Sequence, residues 1–158
     1  MNIHLDRGAL LPATSSELAW RWTQATHALF TPVELNEIAC IPREAAMALD
    51  ERSRLAQGRD GLLSPPVSDV RELDVGDPPD SRRVTSWLRG LPTGGEHEVV
   101  ASWSRDTAIL LPWAVFLHRW EDFCYPASDD VAVFPLSEAW VLGYHHENVF
   151  QWGRWRAA

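Results

Sequence analysis

Between residues 112 and 125 the apolar side chains of Trp113, Phe116, Leu117, Trp120 and Cys124 recur at offsets of three, four, seven and eleven. That period belongs to a helix, and strand alternation does not produce it. On either side the pattern turns to strand. Residues 97–103 and 107–111 flank Ser104-Arg105-Asp106, the length of a hairpin connection. Strands are expected again over 130–134, 139–145 and 149–155, the last two joined through His146-Glu147-Asn148. In that final hairpin Trp140, Leu142 and Tyr144 share one strand face, and Phe150, Trp152 and Arg154 share one face of the next. The expected class is α+β: a mainly antiparallel β-sheet of four to six strands in the C-terminal half, with helices packed on one face.

The N-terminal half reads as helical. Thr14-Ser15-Ser16-Glu17 has capping-box form, and Leu18, Trp22, Ala25 and Leu29 follow at helical spacing, predicting a helix over 15–30 that Pro32 ends. Residues 33–41 are too brief to assign to helix or loop. Pro42 followed by an Ala-, Leu-, Met-, Glu- and Arg-rich run predicts a second helix over 43–57, stopped at Gly58. Residues 60–79 carry Gly61, Pro65, Pro66, Gly76, Pro78 and Pro79 around one strand near Val67–Val75, and Asp80 or Ser81 can cap a short helix to Arg89. With 158 residues the chain is expected to be one domain, residues 1–158, with a helical part over about 1–92 and a β-rich part over about 93–158.

The 14 basic residues are all arginine, and against 22 Asp and Glu they leave a formal net charge of −8. That balance disfavours a phosphate-backbone binder, so no nucleic-acid partner is expected. The absence of lysine removes Schiff-base chemistry and any Walker-type phosphate lysine. Cys40 and Cys124 lie 84 positions apart without C-x-x-C spacing, which suits a reduced, cytoplasmic protein. The first residues lack the basic head and apolar run of a signal peptide, and no stretch approaches ~18 uninterrupted apolar residues, so no membrane partner is expected.

The densest chemistry is the run Trp120-Glu121-Asp122-Phe123-Cys124-Tyr125-Pro126-Ala127-Ser128-Asp129-Asp130. Its four carboxylates repel one another unless an arginine or a metal compensates. They read either as a solvated helix end with an Asx-capped turn or as an acidic surface for a basic partner. His145-His146-Glu147 forms the second cluster. Adjacent residues of a continuing strand point to opposite faces, so one metal can scarcely take both histidines. Zinc from His118, Cys124, His145 or His146 has no local ligand spacing behind it, and Cys124, on the apolar stripe of its helix, reads as a buried thiol. No metal site and no cofactor are expected. Trp152 and Trp155, interleaved with Arg154 and Arg156, read as an aromatic and arginine edge strand, either a contact surface or a covered sheet edge.

The pairing of Trp-Glu-Asp-Phe-Cys-Tyr-Pro-Ala-Ser-Asp-Asp-Val (residues 120–131) with Trp-Val-Leu-Gly-Tyr-His-His-Glu (residues 140–147) resembles small bacterial proteins of the immunity type, the partners of secreted toxins. The resemblance covers roughly residues 100–155. It implies a non-catalytic protein that binds a cognate toxin, which for a basic toxin would use electrostatic complementarity. The expected partner surface is Glu121, Asp122, Asp129, Asp130, Tyr144, His145, His146, Glu147 and Trp152. The alternatives are a small metal-dependent hydrolase built on Asp129, Asp130, His145, His146 and Glu147, and a structural or regulatory module.

Overall fold

The computed structural model describes residues 3–155; Arg156 lies outside them. Among the described residues nine strands form: β1 (Leu11–Pro12), β2 (Ala28–Leu29), β3 (Ala39–Cys40), β4 (Val67–Asp74), β5 (Glu98–Ser104), β6 (Thr107–Pro112), β7 (Val131–Pro135), β8 (Trp140–His145) and β9 (Val149–Trp155). The helices are α1 (Trp20–Thr23), α2 (Pro32–Glu37), α3 (Arg43–Arg54), α4 (Ser81–Arg89) and α5 (Trp113–Phe123). All strands but β2 join one eight-stranded sheet in the order β1-β3-β6-β5-β7-β8-β9-β4, antiparallel at every pairing. The α+β class holds, with more strands than expected, and three of the eight come from the half of the chain expected to be helical.

The inner strands explain why helices lie on both faces rather than one. In β5, β6 and β7 consecutive residues are buried, so neither face of the sheet can meet water. On the first face Val99, Ala101, Ile109, Leu111, Val133 and Leu142 join one core with α4, α5, Trp22 and Phe30. On the second face Val100, Leu110, Ala132, Phe134, Val141 and Trp155 join another core with Ala46 and Leu49 of α3.

Residues 15–30 do not form one long helix. Only Trp20–Thr23 is α-helical, and the chain then doubles back through the bridges Thr23↔Leu29 and Gln24↔Ala28. That reversal puts Trp22 and Phe30 together against Phe123, with ring centroids 5.6–6.1 Å apart, and leaves Leu29 exposed. Tertiary burial of two large rings overrides the helical spacing of Leu18, Trp22, Ala25 and Leu29. The capping box that does form is Thr31 with Glu34, ahead of α2. Helix α3 ends at Arg54, three residues short of the expected end.

The aromatic and arginine strand is not an edge. β9 lies between β8 and β4, and both Trp152 and Trp155 are buried, each with an arginine guanidinium over its ring, Arg71 and Arg52 respectively. The edge on this side of the sheet is β4, guarded by a register shift between Ser68 and Arg71 and by exposed Asp69, Arg71, Glu72 and Asp74.

A row of small residues crosses the second face: Ala108 opposite Ser102, Ser102 opposite Ala132, Ala132 opposite Gly143. The connection after α3 settles at its β8 end. Leu63 packs over Gly143, its backbone N–H donates to Gln151 Oε1 at 2.8 Å, and Gly58 N–H donates to Leu62 C=O at 2.8 Å.

Gly153 of β9 has no room for a side chain, since a Cβ there would stand 2.2 Å from Val67 Cγ1 and 3.1 Å from the Ser68 carbonyl of β4. Gly153→Ala is expected to lower stability by ~1–3 kcal/mol through overpacking, and adding Val67→Ala should recover part of that loss in urea unfolding. An unchanged midpoint for the single variant would contradict this strand packing.

Candidate functional site

The nine residues expected to form one surface do not lie together. Glu121 and Asp122 sit on α5, over the first face of the sheet. Glu121 accepts from the Ser81 hydroxyl of α4, and Asp122 lies half-buried, 3.9 Å from Arg119 Nη1. Burial raises the Asp122 carboxyl above its ordinary range, against the pull of Arg119.

Asp129 is not on the surface. Its carboxylate is buried against Arg21, with Nη1 donating to Oδ2 at 2.6 Å and Nη2 to Oδ1 at 3.1 Å, and Tyr125 N–H adds a bond to Oδ2 at 2.8 Å. The Arg21 guanidinium lies 3.9 Å above the Tyr125 ring. This pair tethers the loop after α5 to α1, and both Asp129 oxygens are committed to it. Tyr144 and Trp152 are likewise interior: the Tyr144 hydroxyl donates to Asn148 Oδ1 at 2.8 Å, and Trp152 is 1% exposed. Cys124 is buried and unpaired, and burial pushes its thiol well above the ordinary range, as fits an inert thiol.

What remains together is a corner on the second face: Asp130, His145, His146 and Glu147. Strand β8 ends at His145, so His146 already belongs to the turn. The expectation that the two histidines diverge therefore fails, and their rings lie 4.1 Å apart, tilted by 32°. Asp130, one residue before β7, accepts from His146 N–H at 3.0 Å and from its ring Nδ1–H at 3.0 Å to Oδ1 and 3.2 Å to Oδ2. His145 Nε2 lies 3.2 Å from the Asp60 carbonyl, which can only accept, so Nε2 carries the proton. His145 Nδ1 then holds the lone pair and accepts Glu147 N–H at 3.2 Å.

Asn148, expected from the sequence only as part of the connecting turn and not as a site residue, holds this turn. It takes φ +66°, accepts from Tyr144 and donates to the Gly76 carbonyl at 2.7 Å. An asparagine between two strand patterns is the available signal, because Asn tolerates the left-handed conformation. Asp60 and Gly61 were missed as well. The seated loop brings the Asp60 carbonyl to His145 and packs Gly61, at φ +79°, against the His145 ring.

Beside the corner is a polar cleft of about 310 Å³, bounded by Asp50, Ser53, Arg54 and Arg59 above and by Ser102 and Ala132 of the sheet, with Asp130 at its margin. No helix among the described residues is long and apolar enough to cross a membrane. No protein-family model matches the sequence, and comparisons with curated proteins and with solved structures find no match either.

Two stability predictions follow from this charge arrangement. Asp129→Asn should cost about 3–5 kcal/mol by leaving Arg21 buried without its counter-charge, whereas Asp130→Asn should cost less than about 1 kcal/mol; equal losses in chemical denaturation would contradict the assignment. Glu34, bonded by Arg119 at 2.8 and 2.9 Å, is held down to about 2 from 4.5, chiefly by that bond. A carboxyl depressed on folding stabilises above its unfolded value, and the gain is lost as pH falls through the folded one. The stability gap between wild type and Glu34→Gln should therefore be steady above pH 4.5 and close between pH 4.5 and about 2; a gap that stays open at pH 2 would refute it.

Proposed function

We propose that the protein is a non-catalytic binding protein that docks a basic protein partner, in the manner of an immunity protein masking its toxin, and that it docks through the corner at the β8–β9 turn. The observation that carries this reading is the exposure of two carboxylates on one braced turn and its neighbour, Glu147 with 77% and Asp130 with 61% of the side chain exposed. The exposed Asp60 adjoins them on the loop bonded to His145. The net charge of −8 supplies the wider field that attracts a cation-rich surface. Bracing matters because a turn already fixed by Asn148, Asp130 and Asp60 loses little freedom on docking. Glu121 and Asp122, on the other side of the sheet, belong to no common footprint with this corner.

The test is co-purification with the product of the neighbouring gene, followed by association rates for the double reversal Asp130→Arg/Glu147→Arg. Association is expected to slow by about tenfold or more at low salt and to lose most of its salt dependence. Unchanged rates and salt slope would place the partner surface elsewhere.

A further inference from the structure

The corner has a second chemistry that docking does not need. One ligating atom from each of Asp130, His145 and His146 lies within 4.8 Å of the other two. In a tetrahedral site with metal–nitrogen bonds near 2.0–2.1 Å, ligand atoms stand about 3.3 Å apart. Small side-chain rotations close that difference, and the shortest of these separations, Asp130 Oδ1 to His146 Nδ1, is already 3.0 Å.

The surroundings match what a metal-bound imidazole requires. His145 Nε2–H donates to the Asp60 carbonyl, which leaves the lone pair on Nδ1; it accepts the Glu147 N–H at 3.2 Å, a bond that a metal on Nδ1 replaces. That backbone bond fixes the tautomer and ring plane in the way outer partners do for metal-binding histidines. Glu147 Oε2 is 3.9 Å from the same Nδ1, within reach as a fourth oxygen. His146 and Asp130 are about half and three-fifths exposed, so an ion reaches them from solvent.

The geometry points to a divalent transition-metal site at Asp130, His145 and His146, with Glu147 closing the fourth position. Two imidazoles and a carboxylate suit Zn²⁺, Ni²⁺ or Co²⁺ and disfavour Mg²⁺ and Ca²⁺, which take oxygen ligands. The ion takes the place of the proton between His146 Nδ1 and Asp130; in the neutral ring that proton is exchanged through solvent to Nε2, and Nδ1 gains the lone pair that binds the metal. This goes beyond the docking reading, and its test uses the protein alone.

Untagged protein, stripped with chelator, is titrated calorimetrically with Zn²⁺ and separately with Mg²⁺. Expected are one equivalent of bound Zn²⁺, no Mg²⁺ binding and a higher thermal midpoint with Zn²⁺. His146→Ala and Asp130→Asn should each weaken Zn²⁺ binding by at least about tenfold, while His118→Ala on α5 leaves it unchanged. Co²⁺ added to the wild type should give the visible absorption of a tetrahedral site, a readout independent of any variant. Absence of Zn²⁺ binding, equal binding of Mg²⁺, or retention of full affinity in both corner variants would overturn the site.

Discussion

The inner strands of the sheet have no wet side, and the rest of the architecture follows from that. An antiparallel sheet commonly keeps one face for solvent and shows it as alternation. β6 and β7 instead run Thr-Ala-Ile-Leu-Leu and Val-Ala-Val-Phe, with consecutive residues buried. Such strands must be covered twice. Helices α4 and α5 with the Trp22–Phe30 reversal cover one face, and α3 with the loop behind it covers the other.

Much of this could be read from the chain, and the failures have a common cause. The final hairpin β8–β9 and helix α5 were legible because each carries its own period in a dozen residues or fewer, β6 and β7 as short apolar runs between turns, and Asp80 as the cap of α4, its side chain accepting from Arg83 N–H. The two-sided covering was legible too, in the unalternating runs of β6 and β7, but those runs read simply as strands. What could not be read locally is the fate of Trp22, whose indole N–H donates to the Asp122 carbonyl across 100 positions. The two-residue strands β1 and β3 carry no pattern; they exist because β6 offers an edge.

The acidic run shows the same division. Counting charges along residues 120–130 predicts repulsion, and the fold relieves it residue by residue with partners the local sequence does not contain. Arg21 for Asp129 comes from 108 positions away, Ser81 for Glu121 from 40, and His146 for Asp130 from 16. Only Asp122 has its arginine nearby, at Arg119, and that arginine is shared with Glu34. Net charge is a property of the whole chain; exposure of a given carboxylate is a property of the contacts, and the two part company at Asp129.

The corner at the β8–β9 turn exists because small side chains leave room beneath it. Had Gly143 carried a bulky side chain, Leu63 could not pack on β8, and Gln151 would lose the backbone N–H that orients it. With Leu63 seated, residues 58–61 are drawn over the end of β8, and the Asp60 carbonyl meets His145 Nε2–H. That bond leaves Nδ1 to accept Glu147 N–H, which turns the chain and aims His146 at Asp130. Three segments far apart in sequence thus converge through a chain of backbone bonds that begins with a missing side chain. Residue-type reasoning looks for chemistry in His, Asp and Glu, while the placement of those groups here is decided by a glycine and a leucine that carry none.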